Sequence, residues 1–390
     1  MFTCIRWLTL IAAVLVCPTF LADAQTRVPF ELSGDLILLK VRVNRSRPLN
    51  FIFDTGASVS VIDPQSARAL GLRAKGKLKL DATGGSVQSG LIKSVSLSVS
   101  GATVLNQTLA TIDLDAFAPL FGFKIDGIIG HDFINHFVVE IDYASGVMNF
   151  FETQHYEYHG GGESVPLEIV EKTPYVRGRI VLNGREPIEG KFEIDTGGTG
   201  ILNLNTPFVN KHKMLETLSK QAQGKMGGAG GSAATVKAHV LAVELGTLAI
   251  KDPLVVFARG TEGSEGSTEY DGSLNNGFLS EFKVILDYSR SRVILERNRK
   301  AFGDLSGLEI VAEPPRFRTF VVNAVDDNSP AAAAGIQEED TILAIDGQST
   351  ARLTLRELRR LFTQPGEHLL KIKHDSKTIQ VRIRLQADER

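Results

Sequence analysis

The feature that most constrains the fold of this 390-residue chain is an internal repeat. The matched blocks are Asp54-Thr55-Gly56 with Asp195-Thr196-Gly197, Gly84-Gly85 with Gly230-Gly231, and Asp142-Tyr143 with Asp287-Tyr288. Their spacing stays between 141 and 146 residues, and each Asp-Thr-Gly ends an apolar run. A spacing this constant over several blocks predicts two copies of one fold, related by an approximate two-fold axis.

Local patterns predict a mainly β protein. Short β-branched and apolar runs separated by turn residues dominate both copies, and helical periodicity is confined to residues 64–70 and 207–222. From residue 304 the pattern changes, and residues 353–362 predict an amphipathic helix followed by two strands. We therefore predict a signal peptide at residues 1–24, a first lobe at 25–153, a second lobe at 154–300 and a small α+β domain at 304–390.

The first 24 residues predict export. Arg6 precedes an apolar stretch, and Ala22-Asp23-Ala24 is typical of a signal peptidase site. An uncleaved anchor is the alternative, but the apolar stretch is short for a bilayer span and Pro18 interrupts it. We therefore expect no stable membrane span after cleavage.

Composition excludes several classes of site and partner. Both cysteines, Cys4 and Cys17, lie in the predicted signal peptide, so the mature chain would have no disulfide, thiol nucleophile or thiolate metal site. The 43 basic and 45 acidic residues nearly balance, which argues against a nucleic-acid partner. His155 and His159 have the spacing of a zinc pair on a helix, but three glycines follow and no third ligand is evident. We expect neither a metal nor a cofactor.

Two aspartates at equivalent positions predict acid–base chemistry. A single Asp-Thr-Gly would be read as a tight turn, but two copies in the same place of a repeat favour a shared site. Two carboxyl groups within hydrogen-bonding distance cannot both ionise easily, so Asp54 and Asp195 would hold one proton between them. One could then act as a base and the other as an acid on a bound water. Thr55 and Thr196 have hydroxyls that could bond backbone groups across the lobes, and Gly56 and Gly197 permit close approach.

At these residues the sequence resembles the aspartic peptidases, and their retropepsin-like branch more closely than pepsin. Asp54-Thr55-Gly56-Ala57 has the retropepsin form of the active-site loop, and Ile128-Ile129-Gly130 resembles the strand beneath it. By this resemblance Asp54 and Asp195 are catalytic, and Thr55, Gly56, Thr196 and Gly197 support the active-site loops. The resemblance also implies two flaps over the substrate, with Gly84, Gly85, Gly230 and Gly231 in the flaps. One chain would supply both lobes, as in pepsin, so we expect a monomer.

The second lobe departs from the pattern at one place. Ser273-Leu274-Asn275 stands where the repeat predicts two apolar residues and a glycine. Either the strand is rearranged locally, with Asn276-Gly277 involved, or the second lobe is degraded. The intact Asp195-Thr196-Gly197 favours rearrangement.

The C-terminal segment resembles a PDZ domain of the kind attached to exported bacterial proteases. The resemblance rests on the runs at residues 329–336 and 340–347. It implies that backbone amides of Gly307, Leu308, Glu309 and Ile310 bind a peptide C-terminus, with Leu355 and Leu358 lining the groove. Such domains bind peptides by strand addition. A PDZ fold kept only for packing against the lobes is the alternative.

These features together predict an exported aspartic endopeptidase, with periplasmic location favoured over secretion into the medium. Polypeptides would be its substrates, and the PDZ domain would recruit them or regulate cleavage. The alternative is an inactive protein that holds peptides in the cleft and the PDZ groove.

The residue after each Asp-Thr-Gly predicts the pH dependence. Pepsin-like enzymes have a hydroxyl there that bonds the ionised carboxylate, whereas this chain has Ala57 and Gly198. Loss of that bond keeps the shared proton bound to higher pH, so we expect an optimum nearer neutrality than that of pepsin.

Overall fold

The structure is a computed structural model that describes residues 25–298, 304–326 and 329–386. The predicted signal peptide lies outside the described residues. The described chain is mainly β, with thirty strands in four sheets and seven short helices, none longer than seven residues. In the described part of the chain no helix has the length and hydropathy needed to cross a membrane.

The first lobe is built on an eight-stranded sheet with the order β2-β3-β4-β9-β5-β8-β7-β6. Its strands are β1 Gln25–Pro29, β2 Glu31–Ser33, β3 Leu36–Val43, β4 Leu49–Phe53, β5 Val61–Ile62, β6 Lys75–Ala82, β7 Gly85–Val99, β8 Ala102–Thr111, β9 Gly127–Ile129, β10 Phe137–Asp142 and β11 Val147–Glu152. Its helices are α1 Pro64–Ala69, α2 Ala118–Phe121 and α3 His131–Ile134. The Asp63 carboxylate caps α1 by accepting hydrogen bonds from two backbone amides of its first turn.

The second lobe repeats this arrangement in a ten-stranded sheet. Its strands are β12 Glu163–Pro166, β13 Glu168–Val170, β14 Thr173–Val181, β15 Ile188–Asp195, β16 Leu202–Leu204, β17 Ala222–Gly228, β18 Gly231–His239, β19 Ala242–Leu245, β20 Leu248–Lys251, β21 Leu254–Ala258, β22 Gly272–Asn275, β23 Phe282–Asp287 and β24 Arg292–Arg297. Its helices are α4 Thr206–Lys211 and α5 Asn276–Leu279. The parallel pair β15 and β22 corresponds to the parallel pair β4 and β9 of the first lobe.

The two lobes share a third, six-stranded sheet with the order β1-β11-β10-β23-β24-β12. At its centre β10 pairs antiparallel with β23, and Glu140 lies opposite Ile285, its equivalent in the repeat. Val139 faces Leu286 and Ile141 faces Val284, so the register is symmetric about that pair. The approximate two-fold axis predicted from the repeat therefore passes through this sheet.

The C-terminal unit has its own sheet and its own hydrophobic core. Its elements are β25 Leu308–Glu313, β26 Thr319–Val325, α6 Pro330–Ala333, β27 Thr341–Ile345, β28 Gln348–Ser349, α7 Leu355–Leu361, β29 Gly366–His374 and β30 Lys377–Leu385. Helix α7 begins with a capping box between Thr354 and Glu357, and it buries Leu355 and Leu358. The exact boundaries of the three units stay a prediction.

One helix prediction is wrong. The periodicity of residues 207–222 predicts one helix, but α4 ends at Lys211 and Lys213 takes a left-handed conformation. A single 3₁₀ turn, Met214–Glu216, follows, and Ala222 begins strand β17. The left-handed residue breaks the helical hydrogen-bond ladder, and the apolar residues beyond it pack from separate turns.

Candidate active site

The two aspartates occupy equivalent positions at the carboxyl ends of parallel strands. Asp54 follows β4 and Asp195 ends β15. The backbone amides of Gly56 and Ala57 donate hydrogen bonds to Asp54 Oδ1, at 2.9 and 3.1 Å. Gly197 N donates to Asp195 Oδ1 at 2.8 Å. Each carboxyl group is thus oriented by the backbone of its own Asp-Thr-Gly loop.

The structure brings Asp54 and Asp195 into hydrogen-bonding contact, as the repeat predicts. Burial raises the pKa of Asp54 well above its usual value, and the charge on Asp195 raises it further. Burial also raises the pKa of Asp195, but amide donors and the hydrogen bond from Asp54 act in the opposite direction. Both pKa values are raised, so the two carboxyl groups hold one proton between them. We call these two residues the aspartate pair.

Reciprocal hydrogen bonds between Thr55 and Thr196 hold the two loops together. Thr55 N donates to Thr196 Oγ1 at 3.0 Å, and Thr196 N donates to Thr55 Oγ1 at 2.9 Å. The hydroxyls in turn donate across the lobes, from Thr55 to Ile194 O and from Thr196 to Phe53 O. Both threonines are fully buried. This network fixes the distance between the two carboxyl groups.

Glycine is required in both loops because each loop backbone lies against the opposite carboxyl group. A Cβ at Gly197 would lie 2.3 Å from the carboxyl carbon of Asp54. A Cβ at Gly56 would lie 3.0 Å from Asp195 Oδ1. Any side chain at either position would push the aspartate pair apart.

The departure at Ser273-Leu274-Asn275 is neither a rearrangement nor a loss of the strand. β22 keeps the parallel register of the first lobe, so that Asn275 pairs with Asp195 where Gly130 would stand. The Asn275 amide donates to Thr199 O at 3.0 Å, and a Cβ at Gly198 would lie 2.2 Å from Asn275 Oδ1. In the first lobe the loop carries the side chain, because Ala57 faces Gly130. In the second lobe the strand carries it, because Gly198 faces Asn275.

Two hairpins meet over the aspartate pair. The first flap is β6 and β7 with Thr83-Gly84 at its tip, and the second flap is β17 and β18 with Ala229-Gly230 at its tip. Gly230 N donates to Thr83 O at 3.0 Å, and Gly84 packs so closely on Gly231 that a Cβ would lie 2.4 Å from its carbonyl carbon. The glycine-rich run at residues 224–231 therefore belongs to a β-hairpin, which is the structure that the predicted flap requires.

Glu265 holds the tip of the first flap and was missed by the sequence analysis. Its buried carboxylate accepts hydrogen bonds from Gly84 N at 3.2 Å. Ser264 Oγ lies 3.3 Å from Thr83 Oγ1 in the same contact. No motif marks this residue, since only the tertiary fold brings residue 265 to residue 84.

Glu193 is a second residue that the sequence analysis missed. It lies on β15 two residues before Asp195 and lines the same cavity. The sequence contained a signal for it, namely a charged residue inside an apolar run. Because alternate residues of a strand lie on one face, its position two residues before Asp195 places both carboxyl groups on the same face.

The predicted PDZ groove is partly covered by the first lobe. Helix α2 lies against β25, and a Cβ at Gly122 would lie 3.1 Å from Leu355 Cβ and 3.6 Å from Ala312 Cβ. Leu355 therefore contacts the first lobe, and Leu358 is buried in the core of its own unit. In this arrangement neither leucine presents an open groove.

The predicted carboxylate-binding residues open onto the cavity that contains the aspartate pair. A cavity of about 3310 Å³ runs from the aspartate pair to Gly307, Leu308, Glu309 and Ile310. Two of their polar groups already have internal partners: Leu308 N donates to Ser306 Oγ at 3.1 Å, and Arg359 donates to Ile310 O at 2.6 Å. Asp304 lies beside them, and burial raises its pKa to about 6.

Two side-chain contacts join the C-terminal unit to β2. Arg359 Nη1 donates to Ser33 Oγ at 3.0 Å, and Arg356 forms an ion pair of 2.7 Å with Glu31. The turn that follows β2 contacts the second lobe, where Asp35 accepts a hydrogen bond from Gly200 N. The C-terminal unit is therefore in contact with a segment that lines the cavity of the aspartate pair.

Residues suited to a metal are not at the aspartate pair. Within residues 25–298, 304–326 and 329–386, the acidic groups close enough to share a cation are Asp63, Asp113 and Asp115. Lys124 already forms ion pairs with Asp63 and Asp115. His155 and His159 are exposed and pair with neighbouring glutamates rather than with each other.

Two family models match parts of the chain. Residues 39–133 match a family model described as aspartyl protease, and residues 321–373 match one described as PDZ domain. No individual curated protein matches the chain significantly. The protease match covers the first lobe, and the second lobe is linked to it by the repeat and the shared topology.

Proposed function

We propose that this chain, which carries an aspartyl protease domain and a C-terminal PDZ domain, is an exported aspartic endopeptidase whose PDZ domain regulates access to the cleft. One observation carries the proposal: Asp54 and Asp195 share a hydrogen bond beneath two flaps that meet. The cross-lobe hydrogen bonds and the retained register of β22 support a competent second lobe.

The proposed reaction uses one shared proton. The ionised member of the aspartate pair takes a proton from a water molecule while the water oxygen forms a bond to the scissile carbonyl carbon. The protonated member gives its proton to the carbonyl oxygen as negative charge develops there. The member that took the water proton passes it to the leaving nitrogen as the C–N bond of the tetrahedral intermediate breaks. The other member takes a proton from a hydroxyl of the intermediate, so the aspartate pair again holds one proton.

Cleavage of unfolded casein tests the proposal against the inactive-binder alternative. We expect the protein without residues 1–24 to cleave casein, and a statine-type inhibitor to stop cleavage. Binding of casein without cleavage between pH 3 and 8 would favour the alternative.

Export is the part of the proposal that rests on the sequence alone. We expect the chain purified from a Gram-negative periplasm to begin at Gln25, because Ala22-Asp23-Ala24 supplies the cleavage pattern. Amino-terminal sequencing checks this expectation, and an intact Met1 would argue for an anchored protein.

We propose that the first lobe restrains peptide binding to the PDZ domain by covering its groove. Because α2 lies against β25, a peptide could add to that strand only after the unit moves away from the first lobe. We expect Arg356→Glu to loosen the contact by placing like charges beside Glu31, and to tighten binding of a free-carboxylate peptide about two- to tenfold. Fluorescence anisotropy with a labelled peptide, in an Asp54→Asn background that prevents cleavage, measures this effect.

The matched control for this prediction is charge reversal. Glu31→Arg combined with Arg356→Glu restores opposite charges, so peptide affinity should return to that of the parent. Equal affinity in all three proteins would mean that this contact does not restrain the groove.

The missing hydroxyl after each Asp-Thr-Gly predicts a shift in the pH profile. The Gly198 position is unsuitable for testing it, because a side chain there would collide with Asn275. Ala57→Ser places a hydroxyl beside Asp54 that would favour the ionised carboxylate, so we expect the acidic limb of kcat/KM to move to lower pH. The control is Ala57→Gly, which matches the second lobe and should leave that limb unchanged. An unmoved acidic limb in an active Ala57→Ser variant would contradict the hydroxyl argument.

A further inference from the structure

Glu193 is a third carboxyl group beside the aspartate pair. Strand alternation places it on the same face of β15 as Asp195. A Cβ at Gly56 would lie 2.8 Å from Glu193 Oε1 and 3.0 Å from Asp195 Oδ1, so both carboxyl groups contact the loop that follows Asp54. The side chain is almost completely buried, with 9% of its residue surface exposed, and that surface faces the catalytic cavity.

The ionisable groups that act on Glu193 are acids, and Lys191, two residues away on the same face of β15, lies over the Tyr175 ring and forms an ion pair with Glu168. The ionisable groups that face it from the packed elements are Asp54, Asp195, Tyr175, Tyr270 and Tyr288. Tyr175 is its register partner on β14, and Ser273 is its uncharged partner on β22. Across the residues that the structure describes, Glu193 has no ion pair, and the Tyr288 hydroxyl has no hydrogen-bond partner.

The fold itself does not need a carboxyl group at this position. In the first lobe the equivalent residue is Ile52, which is buried at the same register position of β4. An isolated carboxyl group is costly to bury, whereas an isoleucine stabilises the strand by burial. A functional reason is therefore the better explanation for Glu193.

We propose that Glu193 is a positioning acid of the catalytic centre that ionises before the aspartate pair loses its last proton, and whose charge then keeps that proton bound to higher pH. The inference rests on the proposed function, because it assigns Glu193 a role in the same site. It describes a cluster of three carboxyl groups in place of two.

The direction follows from like-charge repulsion. Burial raises the pKa of Glu193 well above its usual value, and the charges on Asp195 and Asp54 raise it further. Once Glu193 ionises, its charge opposes loss of the remaining proton from the aspartate pair. The basic limb of the activity profile is therefore displaced to higher pH, while the acidic limb is unaffected because Glu193 is neutral there.

The kinetic test compares kcat/KM against pH for the parent, Glu193→Gln and Glu193→Ile. Gln keeps the shape without the charge, and Ile is the residue of the first lobe at this position. We expect the basic limb of both variants to move to lower pH by on the order of one unit, with the acidic limb unchanged. Glu189→Gln removes a charge from the exposed end of the same strand and should leave both limbs in place. Basic limbs of Glu193→Gln and Glu193→Ile that coincide with that of the parent would overturn the proposal.

Thermal unfolding supplies a readout that does not depend on catalysis. An acid whose pKa is raised in the folded state contributes a loss of stability as pH rises from its unfolded pKa towards its folded pKa. The Tm advantage of Glu193→Gln over the parent should therefore increase between pH 4 and pH 8, and that of Glu189→Gln should not. A constant Tm difference would contradict a neutral buried Glu193, whether or not the protein cleaves peptides. If the parent fails to cleave casein while this difference grows, the proposed function fails and the protonation of Glu193 stands.

Discussion

Asp54→Asn and Asp195→Asn are each expected to lower kcat/KM for peptide cleavage by about 10³-fold, because each removes one member of the acid–base pair. Asn retains the shape of the side chain, so the cross-lobe contacts persist. Burial raises the pKa of Asp54 and Asp195, which means that the folded state bears a cost for their ionisation. We therefore expect neither variant to lose thermal stability at neutral pH.

The matched control is Asp375→Asn in the turn between β29 and β30, where the aspartate is exposed and has a left-handed backbone that Asn also tolerates. Its activity should equal that of the parent. If Asp195→Asn retained most of the activity while Asp54→Asn lost it, the second lobe would not contribute to catalysis.

The second large effect is expected from the buried threonines that join the loops. Thr196→Val removes the acceptor of Thr55 N and the donor to Phe53 O, leaving two buried backbone groups unpaired. Each unpaired group costs roughly 1–3 kcal/mol, so we expect the free energy of unfolding to fall by about 2–5 kcal/mol. For a chain of this size that corresponds to a Tm lower by roughly 5–15 °C.

Thr55→Val should cost a similar amount, because the network is nearly symmetric about the two-fold axis. The controls Thr55→Ser and Thr196→Ser keep the hydroxyl groups and lose only a methyl group, so they should cost much less. Equal destabilisation by Val and Ser at both positions would show that packing, and not hydrogen bonding, holds the loops together. Differential scanning calorimetry of the four variants decides between these outcomes.

The repeat explains how far the sequence alone could predict this fold. Equivalent blocks at a nearly constant spacing predict two lobes, and they place Asp54 with Asp195 and one flap with the other. Local turn chemistry explains the hairpins, since the glycines at each flap tip permit backbone conformations that other residues avoid. Because each motif occurs twice at equivalent positions, the repeat predicts which motifs lie together in the folded chain.

The remaining features depend on contacts that no local pattern encodes. Glu193 occupies an apolar strand, and Glu265 reaches Gly84 only through the fold. The equivalence of Gly130 in the first lobe and Asn275 in the second can be recognised only when the strand register is known. In residues 207–222 a local pattern was misleading, because the helical spacing of apolar residues continues past the left-handed Lys213 and up to the start of a strand.

The contact between α2 and β25 also lies beyond sequence reasoning. The sequence indicates a PDZ domain and a first lobe, but not that one covers the binding edge of the other. With α2 against β25, strand addition to the PDZ domain is blocked, although residues 307–310 line the same cavity as the aspartate pair. Regulation by this contact is compatible with an active site that is already assembled.

The most direct test of the central claim is the stoichiometry of a statine-type inhibitor measured by isothermal titration calorimetry. One site built from both lobes of one chain predicts one inhibitor bound per chain, with binding weakened in Asp54→Asn and in Asp195→Asn alike. A stoichiometry of one inhibitor per two chains would mean that two first lobes pair to form the site. Such a result, or undiminished binding in Asp195→Asn, would contradict the account.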